Sequence, residues 1–413
     1  MRMLGWITAV LFCMTALCPG GLKAQTDTVD MSSLISSILK KNGGAKAPSS
    51  LAILPSFGYN PSLGAIVGAN ATASAFLGDP TDTKLSNAAA TAFYTSKGIL
   101  NFQVRHNLFT PGSRWFLQGN LQASKMAVID YGLGTMATRG RDGLGVMGYP
   151  VKAGYEQYPI RFNIFRLNEK VYHRVYRNLY VGGGINVDIH RRIRDERRLE
   201  DSSVATPHRS YSLEKGLDPE RYSANGLMLG VHLNSREHPN RSYGGSYLDL
   251  VLRADRRFLG SSLNCTQLIS EFRQYWSLSK SKPEHVLALW HLGTYRLSGD
   301  APYLDLPGTA GDLFNRSGRG YTIGRFKGPS YFYLETEYRF PITRNKLLSG
   351  VVFVNAQTAS DGKNVGLFER MEPAGGGGFR VLMKKRGRTN ICIDYAVGRY
   401  GSNGFFFGLN EVF

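Results

Sequence analysis

The stretch YFYLETEYRF at 331–340 decides the fold. Phe332, Leu334, Thr336, Tyr338 and Phe340 alternate with Tyr333, Glu335, Glu337 and Arg339, so an extended chain here has one apolar face and one largely charged face. The same period of two runs through Leu248, Leu250, Leu252 and Ala254 against Tyr247, Asp249, Val251, Arg253 and Asp255. It recurs in Leu100, Phe102 and Val104 against Asn101, Gln103 and Arg105, and in Ile391, Ile393, Tyr395 and Val397 against Asn390, Cys392, Asp394 and Ala396.

Working outward, the alternation predicts strands at 51–60, 63–77, 84–97, 99–110, 114–131, 155–168, 177–192 and 226–237. Eight more follow at 245–259, 264–279, 285–299, 331–343, 347–360, 376–386, 389–399 and 404–413. The connections after even-numbered strands are short. Every long connection, at 132–154, 193–225, 300–330 and 361–375, follows an odd-numbered one, although those after the first, third, ninth and fifteenth are short too. An even strand count with short turns on one side and long loops on the other is the pattern of a transmembrane barrel. The expected fold is therefore all-β, a 16-stranded antiparallel transmembrane β-barrel over 51–413. A propeller would show a repeat of roughly 40 to 50 residues, which is not seen. A soluble sandwich would bury its apolar faces against each other, whereas aromatic residues here gather near strand ends, as in Tyr331, Phe332, Tyr338, Phe340 and Trp276. In the last strand Phe405, Phe407, Leu409 and Phe413 share the expected lipid-facing register, with Phe407, Leu409 and Phe413 forming a C-terminal barrel signal. Glu411 interrupts that register at the membrane boundary.

Composition agrees with an exported barrel. Of 413 residues, 42% are hydrophobic and 12% aromatic, which excludes a disordered chain. No run beyond the N-terminus approaches the roughly 20 apolar residues of a spanning helix. Residues 1–24 read as a signal peptide, with Arg2, an apolar run from Ile7 to Leu17, and Ala24 at the cut. Residues 25–50 read as a short periplasmic tether or helix, with Met31, Leu34, Ile35, Ile38 and Leu39 on one stripe. Cys265 and Cys392 are then left as two unpaired thiols.

Four motifs in order resemble the BamA/TamA family of outer-membrane barrels, of the bacterial surface antigen type. They are Asn234-Ser235-Arg236-Glu237 as a turn, Gly245-Ser246-Tyr247-Leu248, the loop tip Gly318-Arg319-Gly320-Tyr321, and Glu335 to Pro341. The resemblance covers 51–413. It implies a sixth outward loop folded into the lumen, with Arg319 pairing to Glu337 on the twelfth strand. Asn355 stands where the family usually carries a thirteenth-strand aspartate, so the clamp is expected to rest mainly on Glu337. Phe353, on the same face as Asn355, is not a residue expected in a lumen. Only 26 residues, 25–50, stand between the expected signal peptide and the first strand, which implies a barrel-only member without POTRA domains.

No catalytic or metal site is expected, and no cofactor. None of the eight histidines sits in a nucleophile or metal motif, and Gly375-Gly376-Gly377-Gly378 precedes a strand rather than a helix, so it is not a phosphate loop. That run is expected instead to let the wall bend or the sixth loop approach. The formal charge is +19, from 50 Lys plus Arg against 31 Asp plus Glu. Nucleic acid is an unsuitable partner for an exported barrel. Arg191, Arg192, Arg194, Arg197 and Arg198, at the start of an outward loop, suit outer-membrane lipid, lipopolysaccharide headgroups in particular, or equally a solvated loop in which Asp195, Glu196 and Glu200 offset the charge. The expected function is to assist insertion or translocation of proteins at the outer membrane, as a monomeric barrel with a periplasmic or lipoprotein partner. A structural or narrow anion-conducting barrel is the alternative.

Overall fold

The computed structural model describes residues 50–60, 64–136, 157–313, 315–385 and 387–413. The expected signal peptide at 1–24 and the tether at 25–50, apart from its last residue, lie outside the described residues.

The strands are β1 (Ser50–Asn60), β2 (Gly64–Ala75), β3 (Ser86–Thr95), β4 (Leu100–Phe109), β5 (Trp115–Asp130), β6 (Tyr158–Tyr176), β7 (Leu179–Asp195) and β8 (Tyr222–Asn234). They continue as β9 (Gly245–Asp255), β10 (Cys265–Ser277), β11 (Val286–Gly299), β12 (Tyr331–Pro341), β13 (Leu348–Ala359), β14 (Glu372–Lys384), β15 (Thr389–Gly398) and β16 (Asn403–Leu409). All lie in one sheet in sequence order, each antiparallel to the next. The backbones of β1 and β16 come within 8 Å of each other.

Strand bounds depart from expectation in several places, β9 for example ending at Asp255 and not at 259. β6 runs on to Tyr176, because Glu169 and His173 on its apolar face obscure the alternation there. β8 starts earlier, at Tyr222. β14 starts at Glu372, so all four glycines lie inside the strand, whereas the expected start at 376 left Gly375 outside it. β16 stops at Leu409, short of residue 413. The expected loop at 193–225 contains two helices, α1 (Glu196–Glu200) and α2 (Pro207–Glu214). Thr206 caps α2, its hydroxyl accepting from Arg209 N at 3.3 Å.

Burial is inverted relative to a water-soluble sheet. On β12 the charged set is enclosed, with Glu335 and Glu337 at 0% exposure, while Val354 on β13 is 65% and Phe379 on β14 61% exposed. Leu227, Leu229, Phe405 and Phe407 are likewise exposed. Polar pairs interrupt this apolar face, among them Ser270 Oγ on β10 with His291 Nε2 on β11 at 2.8 Å. His106 Nε2 on β4 meets Glu169 Oε2 on β6 at 3.1 Å, across Gly119 of β5, which is the register partner of both.

The sheet curls around the segment between β11 and β12. Leu313 O in that segment accepts from Arg105 of β4 at 3.0 Å, and Lys327 Nζ lies 2.9 Å from Asp130 of β5. Thr309 donates to Gln357 of β13 at 2.7 Å, and Arg316 donates to Leu409 O of β16 at 2.8 Å. A flat sheet could not present β4 and β16 to one 31-residue connection, so the charged face is the concave one.

Candidate functional site

Arg319 sits at the tip of the inward segment between Gly318 and Gly320, both in the left-handed region at φ 77° and 99°. A Cβ at Gly320 would lie 2.7 Å from Ala374 Cβ, so only glycine lets the tip come this close to β14. Tyr321 fixes the far side. Its hydroxyl donates to Pro373 O at 2.7 Å and accepts from Arg399 N at 3.0 Å, and its ring packs edge-on to Phe326.

The guanidinium, 1% exposed, is divided among three carboxylates. Nη2 donates to Glu335 Oε1 at 2.6 Å and also to Glu337 Oε1, and Nη1 donates to Asp394 Oδ2 of β15 at 2.6 Å. Burial works against its charge, but Glu335, Glu337 and Asp394 outweigh it and raise the Arg319 pKa above its ordinary value. The expectation that the arginine rests mainly on Glu337 is therefore corrected. Asp394 supplies a further acid from another strand, and Asn355 Nδ2 instead holds the loop backbone, donating to Arg319 O at 3.0 Å. Phe353, unexpected on a charged face, lies with its ring centroid 3.5 Å from Arg319 Cζ, a cation–π stack.

The glycine run makes room for these partners. A Cβ at Gly376 would lie 2.8 Å from the Phe353 ring, and one at Gly378 would lie 1.9 Å from Asp394 Oδ1. Strand β14 thus carries two inward positions with no side chain, filled from β13 and β15.

The network continues past Arg319. Glu337 accepts from Arg339 Nε at 2.7 Å, and Arg380 bridges Asp394 at 2.5 Å and Glu411 at 2.7 Å. Here the expected register fails. After Leu409 the chain leaves the sheet and turns inward, so Phe413 is buried against Trp290, with ring centroids 5.2 Å apart, and does not face outward with Phe405 and Phe407. Leu409, the last strand residue, keeps partial exposure. Glu411 is enclosed among cations and does not sit at a boundary. Burial would raise its carboxyl, yet Arg380, with Arg339 and Arg241, holds it well below the usual carboxylate range.

The turn residues 234–237 build a second junction. Asn234 Oδ1 accepts from Arg236 Nε at 3.2 Å, Ser235 N donates to Ser246 O at 2.9 Å, and Glu237 accepts from Tyr243 N at 2.9 Å and from Arg388 at 2.8 Å. Through Asn240, which donates to Gly387 O at 2.8 Å, this turn reaches the β14–β15 turn. The base of the inward segment is held separately. Tyr303 OH donates to Asp130 at 2.9 Å, Lys327 Nζ stands 3.8 Å from the Tyr303 ring centroid, and Tyr211 OH of α2 donates to Ala301 O at 2.8 Å.

Of the arginine cluster, Arg191, Arg192 and Arg194 belong to β7 and are exposed, while Arg197 and Arg198 lie on α1 and are half-buried. Cys265 and Cys392 are free, buried thiols. Among the described residues no group of three or more His, Cys, Asp or Glu could hold a metal ion. Asp394 and Glu335 escaped the sequence reading as partners of Arg319, as did Arg380, the second cation on Asp394. Their signal was present in the inward parity of β12, β14 and β15.

No protein-family model matches the chain, and no curated protein matches it in sequence. Solved structures do match in fold. BamA from Haemophilus ducreyi lacking POTRA domains 1-3 superposes with a TM-score of 0.53 at 15% identity, over 88% of this chain and 69% of that one. CdiB from Acinetobacter baumannii gives 0.50 at 14% identity, over 88% and 59%. CdiB from Escherichia coli gives 0.52 at 8% identity, over 89% and 63%. The chain therefore spans about three fifths to two thirds of the length of these proteins and shares their fold.

Proposed function

We propose that the sheet closes on itself, β1 against β16, as a barrel in an outer membrane, and that it assists insertion or translocation of proteins there with a partner chain that delivers the substrate. The observation that carries this reading is the buried Arg319, which joins the tip of an inward segment to β12 and β15 at once. A loop held in this way keeps the interior occupied and the β12–β15 wall rigid, and leaves the seam between the first and last strands as the place able to yield. Several features support a weak seam. β16 has 7 residues against 11 in β1, and the ladders among the described residues include none between them. Gly404 and Gly408 lie in β16, and Pro55 of β1 has no N–H to donate. An opened edge of this kind templates a new strand.

The exposed apolar face supports the membrane location, because contiguous apolar surface of this extent is stable only when covered. Arg191, Arg192 and Arg194 form a basic group at the long-loop end, suited to lipopolysaccharide phosphates. The chemistry proposed is mechanical and not enzymatic.

A sealed structural barrel is the second reading, favoured by the interior contacts of 300–330 and 410–413. Conduction of anions fits less well, since Arg319, Arg339 and Arg380 all face carboxylates. Depletion separates the two. Loss of the protein should lower the abundance of other outer-membrane barrels, and unchanged levels would contradict an assembly role.

A further inference from the structure

The short-turn end of the sheet carries a basic patch that the proposed function does not use. Between β10 and β11, residues 278–285 hold Lys280 and Lys282, and between β12 and β13, residues 342–347 hold Arg344 and Lys346. β11 pairs with β12, so the two turns are neighbours, and Lys346 ties them by its ion pair to Glu284. That pair uses the one acid in the two turns. Lys280, Lys282 and Arg344 are exposed and face no carboxylate among the described residues.

What lies directly beneath these cations decides their partner. Trp276 and Leu278 at the end of β10, and Ile342 after β12, are all exposed on the apolar side of the sheet. Tyr338 and Phe340 stack beside them with centroids 5.5 Å apart, and Tyr338 OH is held 2.8 Å from His285 Nδ1 of the first turn. Aromatic rings at a strand end followed immediately by Lys and Arg mark the depth at which hydrocarbon gives way to headgroups. Long basic side chains at such a depth can lay their stems on an apolar belt and put their charge at the phosphate level. An acidic soluble partner would need charge alone; the belt under the charge fits an amphiphile.

We infer that the turns at 278–285 and 342–347 form a binding site for anionic phospholipid headgroups in the leaflet on the short-turn side. Arg344 can bind a phosphate in bidentate fashion, with Lys280 and Lys282 as point charges beside it. The site would anchor the β10–β13 wall, which carries two of Arg319's acids, and leave the β1–β16 seam on other lipid. This inference rests on the bilayer-spanning reading.

The test uses the full chain in nanodiscs of phosphatidylcholine, with or without phosphatidylglycerol. Native mass spectrometry reads the phosphatidylglycerol retained after release, and migration on unboiled gels confirms the folded barrel. Retention should exceed that of phosphatidylcholine and fall by about fivefold for each of Lys280→Gln, Lys282→Gln and Arg344→Gln, since each basic residue at an anionic surface contributes roughly 1 kcal/mol. Arg221→Gln, at the opposite end, should retain lipid like the parent chain. A folded barrel that holds both lipids equally, or whose retention is indifferent to the three substitutions, overturns the inference alone. A chain that never gives a heat-modifiable band in neutral bilayers overturns the bilayer-spanning reading and this site with it.

Discussion

Arg319 serves three carboxylates with one planar group, and each of the three is buried. Removing it leaves uncompensated charge in the interior, which costs about 3–5 kcal/mol when a buried pair is broken. Arg319→Ala should therefore lower the temperature at which the folded band is lost on gels, and make residues 300–330 accessible to protease. Arg319→Lys should recover only part of the loss, because an ammonium cannot span β12 and β15. Lys84, in the turn before β3, gives a prediction of opposite sign. Burial, with Arg236 and Arg174 nearby, pushes its ammonium down to about 8. The unfolded chain holds that proton up to about pH 10.4, so this group adds stability as pH rises from about 8 toward 10.4, and the gain is lost as pH falls back through 8. Lys84→Met should lack that rise, so its melting temperature relative to the parent should drop between about pH 7 and pH 10. On the opposite face, a Cβ at Gly119 would fall 2.1 Å from Glu169 Oε2 and 2.2 Å from His106 Nε2. Gly119→Val should slow refolding into bilayers and lower thermal stability.

Strand β14 shows how an element can be built from what it omits. Gly378→Ala would drive a methyl group into Asp394 and Ile393 O, whereas at outward-facing Gly377 the nearest atom is Val351 O at 3.2 Å. Gly378→Ala should thus destabilise the folded band far more than Gly377→Ala, measured by gel migration against temperature. Alternation alone starts this strand at 376, within the glycine run, because glycine carries no periodicity. What the run accommodates, Phe353 and Asp394, is a tertiary matter. Alternation was enough to locate most strands and to turn Glu337 inward. It failed past Leu409, because parity holds only while the chain stays in the sheet, and the Arg380–Glu411 pair draws residues 410–413 away from it. Asp394 was legible as an inward residue of β15, but nothing in linear sequence brings β15 to a loop some seventy residues earlier. That contact follows from curvature alone.

At the scale of the whole molecule, the chain is a sheet with its apolar side out and its charges enclosed, wrapped around one of its own connections. Arg339, Arg380, Glu411 and Phe413 extend the Arg319 network to the end of the described chain, so the tip of the inward segment, the β12–β15 wall and residues 410–413 form one polar unit. The +19 charge divides accordingly. Many cations are paired with carboxylates in the interior, and the excess is displayed in part at the two ends of the sheet, at Arg191 to Arg194 on one and at Lys280, Lys282 and Arg344 on the other. The most direct test of this arrangement follows β13 residue by residue in a bilayer. With Cys265 and Cys392 replaced by serine, nitroxide labels at Val352, Phe353, Val354 and Asn355 report access to lipid-dissolved oxygen. High access at 352 and 354 with low access at 353 and 355 is the predicted result; uniform access, or the reverse alternation, would contradict it.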